Sequence, residues 1–144
     1  MKFFNFKDTK GFTLLEILVV ISIIGILIAL GASAYSVAQR KGRDARRQGD
    51  LKQIQNAFEQ YYAANSSSYA ACATMDNVFP STTMPTDPKN SGTSVYTCTV
   101  NTGTVVRYCV CALLESGTGN ATNAGSNGTF SFGSGNYYCV TNLQ

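Results

Sequence analysis

The sequence lacks histidine and tryptophan entirely. The absence of histidine removes the side chain that most often acts as a general base near neutral pH and that most often binds zinc. A G-x-S-x-G turn and a phosphate-binding glycine loop are also missing, and a cysteine nucleophile would need another activating base. These absences argue against a membrane-anchored enzyme, and no cofactor is predicted.

The five cysteines all lie in the second half of the chain, at Cys72, Cys98, Cys109, Cys111 and Cys139. Cysteines concentrated in a small polar region indicate disulfides and an oxidising compartment. Their spacing does not suit zinc, because no C-x-x-C pair occurs, and no metal is predicted. Because the number of cysteines is odd, at least one thiol stays unpaired or forms a disulfide with another chain. The preferred pairs are Cys72 with Cys98, and Cys139 with either Cys109 or Cys111.

Residues Ile17 to Ala38 form a stretch of 22 residues without a charged side chain. As a helix it would be about 33 Å long, which is enough to cross a bilayer. Gly25, Ala29 and Ser33 recur every four residues and form a small-residue seam that lets helices approach closely. A plain membrane anchor and a secretory signal cut after Ala32–Ala34 are the alternatives. The run is longer than a typical signal sequence, and its helical pattern continues past that cut.

The segment from Lys10 to Glu16 reads KGFTLLE and directly precedes the apolar run. It resembles the prepilin peptidase recognition site of type IV pilins and type II secretion pseudopilins, whose GFTLxE pattern is matched from Gly11 through Glu16. The resemblance covers about the first sixty residues. It implies that a membrane-embedded aspartyl peptidase cuts on the cytoplasmic side between Gly11 and Phe12 and then methylates the new amino terminus on Phe12.

Glu16 lies at the edge of the apolar run, where an unpaired carboxylate is costly. The resemblance implies that Glu16 meets the positively charged N-terminus of a neighbouring subunit, a pair that sets register more than net stability. A glutamate that simply reaches the membrane interface is the alternative, but it does not account for the Gly-Phe context. The predicted assembly residues are Glu16, Gly25, Ala29 and Ser33.

The charges flanking the apolar run favour the opposite topology. Three lysines precede the run, whereas six Lys or Arg residues lie between Arg40 and Lys52. The positive-inside rule would therefore place the C-terminus in the cytoplasm. The motif requires a cytoplasmic N-terminus, and the cysteines favour the exterior. The predicted location is the cytoplasmic membrane, crossed once with the N-terminus inside, followed by an extracellular or periplasmic filament.

The basic run itself could contact DNA or lipid phosphates. Asp44 and Asp50 lie within it, however, and no aromatic residues are interleaved for stacking. The preferred interpretation is a solvated helix face that pairs with acidic residues of adjacent subunits. Nucleic acid is not an expected partner.

The predicted fold is α+β and pilin-like, with a long N-terminal helix, transmembrane in its first half, packed on a small antiparallel sheet. Apolar residues at helical spacing from Leu51 to Tyr61 predict that the helix extends to about residue 65. The predicted boundaries are a leader over 1–11, a transmembrane and assembly helix over 12–38, its amphipathic continuation over 39–65 and an extracytoplasmic head over 66–144.

Within the head, β-rich runs predict strands at Val95–Val100, Val105–Leu113 and Tyr137–Thr141. Asn101–Thr104 is predicted to be the hairpin turn between the first two strands. The Gly, Ser, Asn and Thr residues from Ser116 to Asn136 predict a flexible stretch.

Two related functions remain open at this point. The first is a structural subunit of a type IV pilus-like filament, and the second is a pseudopilin of type II secretion. The segment from Met84 to Pro88 resembles the one preceding the sheet in major pseudopilins, whereas the late loop offers only Glu115 toward the calcium site that such heads often carry. The resemblance implies four partners: copies of the chain and other pilin-like subunits, prepilin peptidase, an inner-membrane assembly platform and the lipid bilayer.

Overall fold

The computed structural model describes residues 11–80, 83–101, 103 and 106–143. The chain divides into two compact units, Met1–Ala38 and Gln39–Gln144. We call the second the folded unit. The predicted leader, apart from Gly11, lies outside the described residues, as do Thr102 and Thr104 of the predicted hairpin turn and Val105 at the start of the second predicted strand.

One long helix, α1, runs from Leu14 to Ala64. It ends at three polar residues that favour local side-chain hydrogen bonds over helix continuation. Asn65 Nδ2 donates to the Tyr61 carbonyl at 2.8 Å. Ser66 and Ser67 have positive φ angles of 54° and 59°, a left-handed conformation that often terminates a helix.

The sheet contains five antiparallel strands in the order β1-β2-β5-β3-β4. They are β1 Thr97–Asn101, β2 Arg107–Leu113, β3 Gly119–Ala121, β4 Phe132–Gly135 and β5 Tyr137–Thr141. A short helix, α2 Cys72–Met75, and a 3-10 turn, Asp76–Val78, lie between α1 and the sheet in sequence. The predicted α+β, pilin-like architecture of a long helix packed with an antiparallel sheet is confirmed.

The alternation of side chains along β2 divides the interior of the folded unit into two clusters. Tyr108, Val110 and Ala112 belong to the larger one, which also contains Leu51, Ile54 and Phe58 from α1. The Phe58 ring stacks on Tyr108 with centroids 4.3 Å apart. The intervening residues of β2 form a second cluster on the other face of the sheet, with members Cys109, Cys111, Ala121 and Cys139.

The prediction of a flexible stretch from Ser116 to Asn136 is wrong, because β3 and β4 lie within it. The same stretch covers the second cluster. A Cβ atom on Gly125, whose φ is +74°, would lie 2.6 Å from Cys109 Sγ. Glycine at this position therefore allows the backbone to close over the sulfur atoms, and composition alone gave no sign of this packing.

Candidate functional site

The first turn of α1 is closed by a reciprocal pair of hydrogen bonds between Thr13 and Glu16. The Thr13 backbone N–H donates to Glu16 Oε2 at 2.9 Å, and the Glu16 backbone N–H donates to Thr13 Oγ1 at 3.2 Å. The Thr13 hydroxyl also donates to Glu16 Oε2 at 2.9 Å. This is a capping box, which satisfies helix N–H groups that have no partner in the preceding turn. Glu16 thus has a role within its own chain that sequence reasoning missed, although the T-x-x-E spacing signals it.

The residues on either side of the predicted cleavage site are exposed. Gly11, Phe12 and Thr13 precede the helix and are exposed, with Phe12 84% exposed. A Cβ atom on Gly11 would meet no atom within 4 Å. The backbone between Gly11 and Phe12 can therefore lie in an extended conformation against the catalytic groups of a peptidase.

The apolar part of α1 is exposed, and residues 17–38 carry no charged side chain. By length and composition it can cross a membrane.

Gly25, Ala29 and Ser33 lie in this exposed part of α1. A Cβ atom on Gly25 would meet nothing within 4 Å. The Ser33 hydroxyl donates to the Leu30 carbonyl at 2.9 Å, so it needs no partner from a neighbouring helix. All three positions are exposed, and their part in helix packing stays a prediction.

Six charged side chains in the folded unit form a group of ion pairs, which we call the ionic cluster: Arg43, Asp44, Arg47, Asp87, Lys89 and Glu115. Its centre is Arg47, whose side chain is fully buried. Arg47 Nε and Nη2 donate to the two oxygens of Asp87 at 2.6 and 3.1 Å. Arg47 Nη1 donates to Asp44 at 2.7 Å and to Glu115 at 3.0 Å.

The outer members of the ionic cluster, Arg43 and Lys89, both pair with Glu115. Arg43 makes two hydrogen bonds of 2.7 Å to the oxygens of Glu115, and Lys89 Nζ lies 3.0 Å from Glu115 Oε2. The backbone N–H groups of Glu115 and Ser116 donate to Asp44 at 3.0 and 2.9 Å. The prediction that this basic helix face is solvated and pairs with adjacent subunits is therefore wrong for Arg43 and Arg47, which pair within their own chain.

The carboxylates of the ionic cluster stay ionised despite their burial. Burial opposes the charge on Asp87, but hydrogen bonds from Arg47 and from the Lys89 backbone outweigh it and hold the pKa below its usual range. Hydrogen bonds from Arg43 are the main reason that the pKa of Glu115 is far below its usual range. Burial also opposes ionisation of Asp44, and backbone donors at Glu115 and Ser116 outweigh it, so its pKa is lowered. At neutral pH the cluster balances three positive against three negative charges.

Two disulfides lie in the folded unit. Cys72 on α2 is joined to Cys98 on β1, and Cys111 on β2 is joined to Cys139 on β5. The loops that they close span 26 and 28 residues. For loops of this length a disulfide contributes about 3 kcal/mol, mainly by restricting the unfolded chain. Sequence reasoning had left two partners open for Cys139, and the structure joins it to Cys111.

Cys109 is the free cysteine among the described residues, and it is buried. Its Sγ atom lies 3.3 Å from Cys111 Sγ, because side chains two residues apart share one face of a strand. The sulfurs of Cys109, Cys111 and Cys139 all lie within 4.8 Å of one another. Since two of them form a disulfide, this group could ligate a metal only after reduction.

Burial raises the pKa of the Cys109 thiol to about 11. We therefore expect the folded protein to resist iodoacetamide at pH 7.5, and the protein unfolded in guanidinium without reductant to take up one label per chain. The same reasoning predicts no disulfide-linked dimer on a non-reducing gel. A dimer that disappears in Cys109→Ala, but persists in a control that replaces the exposed Ser126 with Ala, would contradict this expectation.

Residues 6–32 match the family model for the prokaryotic N-terminal methylation motif. This motif is the signature of prepilin-type cleavage in type IV pilins and pseudopilins, so the resemblance inferred from GFTLLE is confirmed. The match includes Gly11, Phe12 and Glu16 and ends just before Ser33. No curated protein and no solved structure matches the chain. The motif and the exposed apolar helix together fit a membrane-anchored, pilin-like protein.

Proposed function

We propose that this protein is a structural subunit of a type IV pilus-like filament. The observation that carries the proposal is the exposed apolar helix that begins within the motif, at Leu14. From Phe12 through Ala38, Glu16 is the sole charged residue, and all residues of this segment are exposed. Such a helix is stable first in a bilayer and then among copies of itself, which is the requirement for a membrane-stored subunit that polymerises.

Processing prepares the subunit for assembly. Prepilin peptidase removes residues 1–11 by cutting between Gly11 and Phe12, and it methylates the amino group of Phe12. The exposed, non-helical residues 11–13 give the peptidase access to the backbone. Because the cut precedes Leu14, helix α1 is left intact.

Two parts of α1 then take part in assembly. Glu16 attracts the positively charged amino terminus of a neighbouring subunit, which places each new subunit at a fixed height. The surface at Gly25, Ala29 and Ser33 allows close helix packing. The partners are copies of the chain and other pilin-like subunits, with an inner-membrane assembly platform that moves subunits out of the bilayer.

The folded unit faces the exterior of the cytoplasmic membrane in this proposal, with the N-terminus in the cytoplasm. The two disulfides support this orientation, since disulfides persist in oxidising compartments. The charged groups of the ionic cluster pair with one another, which supports a structural role for this cluster.

A type II secretion pseudopilin is the second candidate, favoured by the segment from Met84 to Pro88. This segment is tied to the folded unit, because Asp87 binds Arg47 and the Met84 backbone N–H donates to Asp76 at 2.9 Å. Deletion of the gene separates the two candidates. A pilus subunit is required for surface filaments in the shear fraction, whereas a pseudopilin is required for export of folded proteins.

Intact-mass spectrometry of the protein from the membrane or shear fraction of its native host tests the processing step. The expected species begins at Phe12 and is heavier by one methyl group. A species that begins at Tyr35 would identify an ordinary secreted protein, and an uncleaved chain would identify a plain anchor. Either of these two results would overturn the proposed assembly.

A further inference from the structure

A pocket of about 480 Å³ lies at one end of the sheet, where β2 begins and β5 ends. Its lining residues are Arg107, Gly128, Thr129, Phe130, Phe132, Thr141 and Asn142. All of them belong to the folded unit, and none takes part in the ionic cluster or the disulfides. The volume falls within the range of small-molecule binding sites.

Arg107 supplies this pocket with a positive charge that no acidic side chain among the described residues pairs with. None of the ion pairs among the described residues involves Arg107, and its Nε atom is buried without a hydrogen-bond partner. The sequence from Ser116 to Gln144, which supplies the other lining residues, contains no Asp or Glu. Among the described residues the pocket therefore carries a positive charge, which favours a ligand of negative charge.

The turn at residues 126–129 lies in close contact with Arg107. Asn127 and Gly128 have φ angles of 48° and 73°, and Ser126 and Thr129 exchange backbone hydrogen bonds of 2.7 and 2.9 Å. These features describe a type I′ turn, for which Asn-Gly is a preferred pair. A Cβ atom on Gly128 would lie 2.6 Å from the Arg107 carbonyl oxygen and 2.8 Å from its Cγ atom. The turn therefore packs directly against the backbone and stem of Arg107.

Two phenylalanine rings form the apolar part of the pocket. The centroids of Phe130 and Phe132 are 4.4 Å apart, and Phe132 is 74% exposed. The exposed ring of Phe132 offers apolar surface on the lining of the pocket. A ligand ring packed on Phe132 would remove that surface from water, with the tilted or offset geometry that aromatic rings prefer.

From this combination we infer that the pocket binds a carboxylate carried by an aromatic or other apolar group. The planar guanidinium of Arg107, a residue that lines the pocket, matches a carboxylate in shape and charge. One cation balances one carboxylate, whereas a phosphate would bring more negative charge than the pocket can neutralise. This ligand site is separate from the proposed processing and assembly of the chain.

The test uses N-acetylphenylalanine as the probe, titrated into the ¹⁵N-labelled full chain in detergent micelles. Its neutral amide keeps the ring but loses the charge, and acetate keeps the charge but loses the ring. We expect saturable chemical-shift changes confined to the amides near Arg107 and residues 128–132, with a Kd of about 1 mM. The amide and acetate should each bind roughly tenfold more weakly or not measurably.

Separate variants test the charged part and the aromatic part of the pocket. Arg107→Gln should weaken binding of the acid at least roughly tenfold and remove its preference over the amide. Phe132→Ala alters an exposed side chain, so the fold should persist while affinity falls several-fold. Arg40→Gln, a loss of the same charge at an exposed helix position, should leave binding unchanged.

Three results would overturn the inference. Equal binding of the acid and the amide would show that Arg107 does not select a carboxylate. Shifts spread over residues 14–38 would show that the probe only partitions into the micelle. Shifts of the pocket amides that depend on protein concentration without probe would show that a second copy of the chain is the occupant.

Discussion

Replacing Arg47 with Met is expected to lower the free energy of unfolding of the folded unit by about 3 to 5 kcal/mol. Removal of one partner from a buried ion pair leaves the remaining charge without compensation, and this is more costly than loss of the pair as a whole. Here the substitution affects three carboxylates at once, since Arg47 binds Asp44, Asp87 and Glu115. The loss of Arg47 would cost the most free energy at Asp87, because the Asp87 side chain is also fully buried.

Arg46 provides a matched control one position earlier on the same helix. Its side chain is 65% exposed, and its ion pair with Asp50 spans 3.7 Å. Arg46→Met should change stability by no more than about 0.5 kcal/mol. The near-ultraviolet circular dichroism of the tyrosines reports unfolding, since Tyr69 and Tyr108 are buried in the larger cluster. Arg47→Met should lower the melting temperature by at least about 12 °C.

A double-mutant cycle checks the cause of this loss. Asp87→Asn alone should also destabilise the folded unit, and the two substitutions together should cost less than the sum of their separate effects. Equal effects of Arg47→Met and Arg46→Met would contradict the assigned role. Additive effects of Arg47→Met and Asp87→Asn would show that the two side chains are not coupled.

Replacing Glu16 with Gln is expected to reduce filament yield at least about tenfold, without loss of membrane insertion or cleavage. This expectation rests on the proposed pairing of Glu16 with the amino terminus of a neighbouring subunit. Loss of one charge from a desolvated pair costs several kcal/mol, and each 1.4 kcal/mol is a factor of ten in an equilibrium. Glutamine keeps the length of the side chain and can still close a capping box, so the first turn of α1 is preserved.

Thr13→Ala is the reciprocal variant, because it removes the hydroxyl partner of Glu16 and keeps the charge. Loss of an N-cap costs about 1 kcal/mol, which a helix of 51 residues tolerates. Filaments should therefore form in Thr13→Ala. The comparison distinguishes a charge that acts between subunits from a carboxylate that only caps its own helix.

Both variants are tested in the native host without the wild-type gene. Filament yield comes from the shear fraction, insertion from the membrane fraction, and cleavage from the intact mass. Normal filaments from Glu16→Gln would refute the pairing between subunits. Filament loss in Thr13→Ala, with normal assembly of Glu16→Gln, would assign Glu16 to capping alone.

The sequence predicted the features that are set by residues close together in the chain. The motif from Gly11 to Glu16, the uncharged run after it and the helical spacing from Leu51 to Tyr61 predicted helix α1 almost to its last residue. Strand β5 was predicted with the bounds that the structure has. These signals are local, because a helix or strand repeats its contacts every few residues.

The pairing of charges in the ionic cluster carried no such local signal. Arg43 and Arg47 belong to a basic run that is indistinguishable in sequence from a solvated helix face, and their partners at Asp87 and Glu115 lie at least 40 residues away. The T-x-x-E pattern of Thr13 and Glu16 was available in the sequence and was overlooked. The turn at Asn127 and Gly128 was overlooked as well, within a stretch whose composition suggested flexibility.

The sequence by itself determined the processing motif, the apolar helix and the main strands, since each rests on residues adjacent in the chain. Tertiary structure alone decided which charges are buried, which sulfur atom Cys139 binds and that Arg107 and the two phenylalanine rings line one pocket. The physical reason is that burial and pairing depend on contacts between distant segments. Those contacts form only when the sheet, its covering loop and helix α1 pack together.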